Sequence, residues 1–285
     1  MMIIKVYSET SGGRMMKKVS LAILLLLFLS TVPQLILSQE EPQVTVEVNP
    51  NLELFSVVYI LAFNGSDPFI IAPNDYVQDV LTYFAPYKEH EAVKYIRKVL
   101  DNSLPYYYRD SAMMDLSSRL AMLNYLPNET NLGDLEPLAE FANESNFMEF
   151  YKAHEEEYLK YTLSIASYLE LVPEMHKEFF GFTYQEYNVE LSYSLRIHPH
   201  SVFREEKVYH IGYMYPNKYK TQMFQQIITI FHEFTHPFVN NLLGETYELF
   251  ENKSYYLDEL KNQLPITTAY DPEHFGSLAS ILTRF

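Results

Sequence analysis

The stretch ITIFHEFTHPF, residues 228–238, contains the pattern HExxH inside an apolar segment. His232 and His236 are four residues apart, so on an α-helix both imidazoles stand on one face and can reach a single divalent cation. Glu233 stands beside the first histidine, where a carboxylate can act as general base toward a water that the metal activates. The pattern therefore predicts a zinc site with His232 and His236 as ligands and Glu233 as the catalytic residue.

The segment around the motif has apolar residues at helical spacing, which predicts a helix largely buried in the core and a polar trio in a low-dielectric recess. These residues are Met223, Phe224, Ile227, Ile228, Phe231, Phe234 and Phe238. Pro237 lacks the N–H that would bond to the Glu233 carbonyl, so we expect the helix to end or kink there. Two histidines that are merely packed in the core are the alternative to a metal site.

The third metal ligand is not evident from the motif. Val239 and Leu242 stand where the extended metzincin pattern has glycine and histidine, which excludes that subclass. A glutamate from a following segment is the remaining common solution. The available glutamates are Glu245, Glu248, Glu251, Glu259 and Glu273. We favour Glu259, in YYLDEL, because it lies in the most convincing helical segment.

Two strands are predicted just before the motif. Apolar and polar residues alternate from Tyr187 to Ile197, and Val208 to Tyr215 is a second apolar run. A connection containing Pro199 would fold the two strands into a hairpin, whose edge could hold an extended peptide. Three tyrosines in the second strand are candidate oxyanion donors by position, with ordinary packing as the alternative. They are Tyr209, Tyr213 and Tyr215.

The first part of the chain is predicted to be mainly helical, which makes the fold class α+β. The predicted helices span residues 52–63, 75–84, 88–100, 111–123 and 146–171, and Asp75 is the expected N-cap of the second. For His90, His154 and His176, which lie in helical stretches, a solvated or hydrogen-bonded side chain is the expected role. His198 and His200 flank Pro199 and could form a second metal pair, but a turn between strands is the expected explanation.

The N-terminus has the features of a secretory signal peptide. Lys17 and Lys18 precede an apolar run at residues 19–29, and a polar stretch begins near Gln39. We predict that residues 1–38 form the signal, with Met1–Arg14 as an upstream extension, and that residues 39–285 form a single zincin-like domain. The protein is therefore expected to be secreted or extracytoplasmic, unless the segment is retained as a membrane anchor.

Charge and cysteine content exclude several classes of function. Removing residues 1–38 takes away four of the 21 basic side chains and one of the 37 acidic ones, which leaves a net charge of −19. Such a surface repels phosphate backbones, so nucleic acid is not an expected partner. The absence of cysteine excludes disulfides, thiol catalysis and thiolate ligands. The expected partner is a peptide or protein substrate.

Three segments in this order resemble a family of exported bacterial and archaeal proteins that is known as a domain of unknown function. They are LELFSVVYILAF from Leu52, YVQDVLTYFAPYKEHEAVKYIRKV from Tyr76 and HEFTHPFVN from His232. The resemblance covers roughly residues 44–240 and implies a zincin-like metallopeptidase domain with the motif residues in the roles given above. The chain departs from the family at Pro237, and at Ser280 where relatives have a further glutamate.

Two functions follow from these observations. The first is a secreted zinc-dependent metallopeptidase. The second is a non-catalytic extracytoplasmic binding or scaffold protein on the same fold, whose metal site is incomplete because the third ligand is missing. Zinc content and hydrolytic activity together distinguish the two.

Overall fold

The computed structural model describes residues 41–215 and 220–251, so the predicted signal peptide and Glu259 lie outside the described residues. The α+β class is confirmed, since the chain is mainly helical with one small sheet. The strands are β1 (Gln43–Val48), β2 (Glu186–Ser192), β3 (His200–Arg204) and β4 (Lys207–Tyr213). The helices are α1 (Pro50–Ala62), α2 (Asn74–Tyr83), α3 (Glu91–Val99), α4 (Tyr106–Ala121), α5 (Glu136–Glu144), α6 (Phe147–Ala153), α7 (Glu155–Leu169), α8 (Val172–Phe180) and α9 (Lys220–Glu251).

The four strands form one mixed sheet in the order β1-β2-β4-β3. The two predicted strands exist as β2 and β4, but they pair in parallel, so the predicted hairpin between them is wrong. Their connection contains β3, which pairs antiparallel with β4 around a turn at Glu205, where φ is 59°. Alternation in the sequence indicates which face of a strand is buried, but it does not indicate the partner strand. The edge strand β1 was not predicted.

Helix α1 runs through the centre of the core. Asn49 caps it, because the side-chain oxygen accepts hydrogen bonds from the backbone N–H groups of Asn51 at 2.8 Å and Leu52 at 3.1 Å. Every residue from Asn51 to Ala62 is buried, since other helices and the sheet surround α1 on all sides. By contrast, α2 begins at Asn74 after Pro73 with no side-chain cap, so the prediction of Asp75 as its N-cap is wrong.

All five predicted helices are present with shifted ends, and the longest of them is divided. His154 separates α6 from α7 within the predicted span 146–171, because its backbone, at φ −106° and ψ 3°, leaves helical geometry. Helices α5 and α8 were not predicted. Both are short and have a proline in the first turn, where the missing N–H is compatible with a helix start.

Helix α9 carries the HExxH motif and lies on the sheet, with contacts to β3 and β4. It continues through Pro237 to Glu251, so of the two outcomes expected there, an end of the helix is wrong and a kink stays a prediction. Burial of Pro237 and its neighbour Phe238 stabilises helical geometry there despite the missing N–H. The apolar side chains of α9 are buried on a narrower face than predicted, because Phe224 is 63% and Ile228 is 50% exposed.

Among the residues that the structure describes, no helix has both the length and the apolar character needed to cross a membrane.

Candidate metal centre

The two motif histidines converge on one point. Their Nε2 atoms are 3.1 Å apart, and their rings meet edge to face with 4.7 Å between centroids. Two nitrogens bound to one tetrahedral zinc at about 2.0–2.1 Å would lie about 3.3 Å from each other. A hydrogen bond from one ring to the other gives a similar separation. The arrangement therefore fits a shared cation with little movement of either imidazole.

Glu233 completes a group of three potential donors. Its Oε2 lies 3.9 Å from His236 Nε2, and its side chain is 13% exposed. One ligand atom from each of His232, Glu233 and His236 lies within 4.8 Å of the other two. Among the described residues, these three form the cluster of histidine and acidic side chains that could hold a metal ion. Imidazole nitrogen and carboxylate oxygen are ligands that zinc accepts.

The protonation states suit a metal site. Burial, and to a smaller extent the neighbouring His232, lowers the pKa of His236 to about 4, so this imidazole is neutral near pH 7. A neutral ring is the form that binds a metal. Burial raises the pKa of Glu233 to about 8. A divalent cation beside this carboxyl group would favour its ionised form, which is the form that a general base requires.

Packing of α9 on the sheet determines where the motif points. Phe234 is fully buried, and its ring meets the Tyr187 ring edge to face with 5.1 Å between centroids. Residues two positions before and after Phe234 lie about 200° around the helix, on the side that faces away from the sheet. His232 and His236 occupy those positions. Glu233 lies between the buried and the outward faces.

Contacts on two sides hold α9 in place. On one side, the buried His176 of α8 packs against the rings of Phe231 and Phe238, at 5.3 and 4.6 Å between centroids. On the other side, Gln226 is 1% exposed, and its side-chain oxygen accepts hydrogen bonds from the Tyr161 hydroxyl of α7 and the Tyr215 N–H. The backbone around the motif is therefore supported on both flanks.

The remaining candidate residues have the following positions. Glu245, Glu248 and Glu251 lie on the last turns of α9, and Glu273, like Glu259, lies outside the described residues. Tyr209 and Tyr213 lie on β4, and the ring of Tyr213 is 4.8 Å from that of Tyr215 between centroids. The structure does not assign an oxyanion donor among these tyrosines.

The ordinary roles expected of the other histidines are confirmed where the structure gives their contacts. His90 caps α3 through the Ala92 N–H, and His154 packs against Tyr76. His200 Nε2 is 2.8 Å from the Ser118 hydroxyl.

Sequence reasoning missed the buried polar groups of the core, one of which, Gln226, supports the helix of the motif. Gln226 is a polar residue within the apolar stretch of α9, and Glu53 and Glu190 interrupt buried stretches of α1 and β2. A polar residue at a buried position of an otherwise regular pattern was the available signal, because such a group needs partners elsewhere in the fold.

No family model, curated protein or solved structure matches the chain. The family resemblance of the sequence motifs therefore stays a prediction.

Proposed function

We propose that the protein is a zinc-dependent metallopeptidase that acts outside the cytoplasm on peptides or unfolded proteins. The observation that supports this most is the 3.1 Å approach of His232 Nε2 to His236 Nε2 beside the carboxyl group of Glu233. A bound zinc ion would supply Lewis acidity, which polarises the scissile carbonyl and lowers the pKa of a water molecule. His232 and His236 would hold the metal through their converging nitrogens.

Glu233 has the role of general base and then general acid in this proposal. Its carboxylate takes a proton from water while the water oxygen forms a bond to the carbonyl carbon, and it then delivers that proton to the nitrogen of the breaking C–N bond. The low exposure of Glu233 favours this exchange, because burial brings the stabilities of its charged and neutral forms closer together near pH 7.

The edge strand β3 offers a place for an extended substrate. Among the described strands it pairs with β4 alone, and it contacts α9, the helix that carries the motif. A peptide could add to this edge through main-chain hydrogen bonds, which are independent of side-chain identity.

The test combines zinc content with turnover. We expect the purified protein to hold about one zinc per chain by mass spectrometry, and to cleave unfolded casein. Glu233→Gln should retain zinc and lose at least about a hundredfold in rate, since general acid–base catalysis contributes roughly 10²–10⁴-fold. His232→Ala should lose both zinc and activity, whereas Glu178→Gln, on α8, should change neither. Zinc below about a tenth of an equivalent would contradict the proposal.

A non-catalytic protein with an incomplete metal site is the second candidate. It is favoured by one observation, namely that the described residues bring only two histidines and the proposed base Glu233 together at the motif. Stoichiometric zinc without hydrolysis of any substrate in a broad peptide library, and without an effect of Glu233→Gln, would support this candidate over the peptidase.

A further inference from the structure

A cavity of about 960 Å³ lies beside α7, the segment 71–74 and the end of β4. Tyrosines and two side chains of opposite charge dominate its lining. The residues that matter here are Glu157, Lys160, Tyr161, Tyr193, Met214 and Tyr215. The volume is at the upper end of the range of about 300–1,000 Å³ that is typical of small-ligand sites. It is sufficient for more than one amino-acid side chain.

One wall of the cavity is held by a buried carboxyl group. Glu53 is fully buried, and its Oε2 accepts a hydrogen bond from the Tyr193 N–H at 2.9 Å. The Tyr193 hydroxyl donates to Glu157 Oε2 at 3.0 Å. Behind Tyr193, the Tyr76 ring packs edge to face at 4.9 Å between centroids. Both Tyr193 and the carboxylate of Glu157 are therefore oriented before any ligand arrives.

The opposite wall is held by the helix that carries the metal motif. Gln226 of α9 accepts from the Tyr161 hydroxyl and from the Tyr215 N–H, the latter at 3.0 Å, and donates to the Tyr213 carbonyl at 2.9 Å. The oxygen of this 1% exposed amide thus positions two lining tyrosines, Tyr161 and Tyr215, and its nitrogen anchors the amide to β4. A buried, satisfied polar group on each wall makes the cavity a preorganised feature of the fold.

The cavity and the metal motif lie along one side of α9, the side that carries both Gln226 and Glu233. Gln226 and Glu233 are seven residues apart on one continuous helix, so they point in nearly the same direction and are separated by roughly 10 Å along the axis. This is about the length of three residues of extended peptide. A substrate at the motif could therefore place a nearby side chain in the cavity.

The lining of the cavity contains one acidic and one basic side chain. Glu157 is oriented by Tyr193, and it follows Glu155 and Glu156 in the first turn of α7. Burial raises the pKa of the Tyr193 phenol, and Glu157, Glu53 and Asp75 raise it further by their charges. Lys160 contributes one positive charge to the lining. Glu157 is held in place by the hydrogen bond from the Tyr193 hydroxyl, and tyrosine rings attract cations through their faces.

We propose that this cavity binds the basic side chain, lysine or arginine, of a peptide, with its charged end on Glu157 and its aliphatic stem against Tyr161 and Tyr193. This proposal rests on the proposed peptidase function in one respect, namely that the ligand is a peptide. The cationic preference rests on the lining residues.

The test measures binding without catalysis, by calorimetry on the full protein in EDTA. The probes are acetylated, amidated pentapeptides of alanine with arginine, glutamine or glutamate at the centre. We expect the arginine peptide to bind about fivefold more tightly than the glutamine peptide, as a partly exposed ion pair with a cation–π contact would give. Glu157→Gln should reduce this ratio to about one, and Lys160→Gln should increase it about twofold. The control Glu140→Gln, an exposed glutamate of α5, should leave the ratio unchanged.

Three results would overturn the inference: no detectable binding of any pentapeptide at millimolar concentration, equal binding of the arginine and glutamine peptides, or a preference that survives Glu157→Gln. The proposed function fails separately. Arginine-selective binding that depends on Glu157, found together with absence of hydrolysis, would preserve the cavity and reject the peptidase. Hydrolysis without this selectivity would support the peptidase and reject the proposed role of the cavity.

Discussion

Glu53 of α1 and Glu233 of α9 are both carboxyl groups removed from water, and they differ in their partners. Burial raises the pKa of Glu53, but hydrogen bonds from Ser194, Tyr76 and the Tyr193 N–H oppose that shift. Burial likewise raises the pKa of Glu233, to about 8, and desolvation is the cause. The partner that the structure gives Glu233 is His236, at 3.9 Å.

This difference separates a structural carboxyl group from one suited to chemistry. Donors that converge on Glu53 connect α1, α2 and the corner after β2, so its oxygens are already used within the fold. Within the part of the chain that the structure describes, the oxygens of Glu233 accept no comparable set of hydrogen bonds, which suits them to water, a cation or a substrate. Burial alone does not distinguish the two cases, whereas the number of donors does.

The largest expected effect comes from removing each carboxyl group in turn. Glu53→Ala would leave the buried hydroxyls of Tyr76 and Ser194 and the Tyr193 N–H without their acceptor, and should cost about 3–5 kcal/mol of unfolding free energy. Glu233→Ala should change stability by less than about 1 kcal/mol. Urea unfolding in EDTA, followed by circular dichroism, measures both. Equal losses in the two variants would show that the comparison is wrong.

An intermediate effect is expected at Glu190, which is 6% exposed and has one donor, Asn49 Nδ2 at 2.9 Å. Burial and the charge of the cross-strand neighbour Glu47 raise the pKa of Glu190 to about 8. The folded protein therefore retains a proton that the unfolded chain loses above about pH 4.5. The contribution of Glu190 to the free energy of unfolding is greatest below that pH, and it should fall by on the order of 2–4 kcal/mol as the pH rises to 8.

Glu190→Gln provides the check, because an amide imitates the protonated form and still accepts from Asn49. Its unfolding free energy should change little between pH 5 and pH 8, while that of the wild type falls. Glu178→Gln, on α8, should follow the wild type. A wild-type stability that is constant or rises over this range would contradict the assignment of a retained proton.

The smallest effect concerns one donor of the Glu53 group. Tyr76→Phe removes the hydroxyl that donates to Glu53 Oε1 at 2.7 Å and also contacts the Tyr158 hydroxyl at 2.9 Å. We expect a loss of about 1–2 kcal/mol, since the other donors to Glu53 remain. Tyr83→Phe is the matched control, because Tyr83 is on the same helix and is 40% exposed. Equal effects of the two substitutions would mean that the Tyr76 hydroxyl adds nothing to stability.

Local patterns predicted the elements better than their arrangement. The helical spacing of apolar residues around His232 and the alternation in Tyr187–Ile197 correspond to α9 and β2. The hairpin prediction failed because the strand that turns back antiparallel onto β4 is β3, its neighbour in sequence, whereas β2 joins β4 in parallel. The predicted end of α9 at Pro237 failed because packing outweighed local helix propensity.

The sequence by itself determined the α+β class and the pairing of His232 with His236 on one helical face, because both depend on periods of two or 3.6 residues that local geometry imposes. Only the tertiary structure decided that their nitrogens approach to 3.1 Å and that Gln226 joins α9 to a cavity. It also decided that Glu53 is enclosed by donors while Glu233 is not. The partners of a buried polar group come from segments far apart in the chain, so no local pattern specifies them.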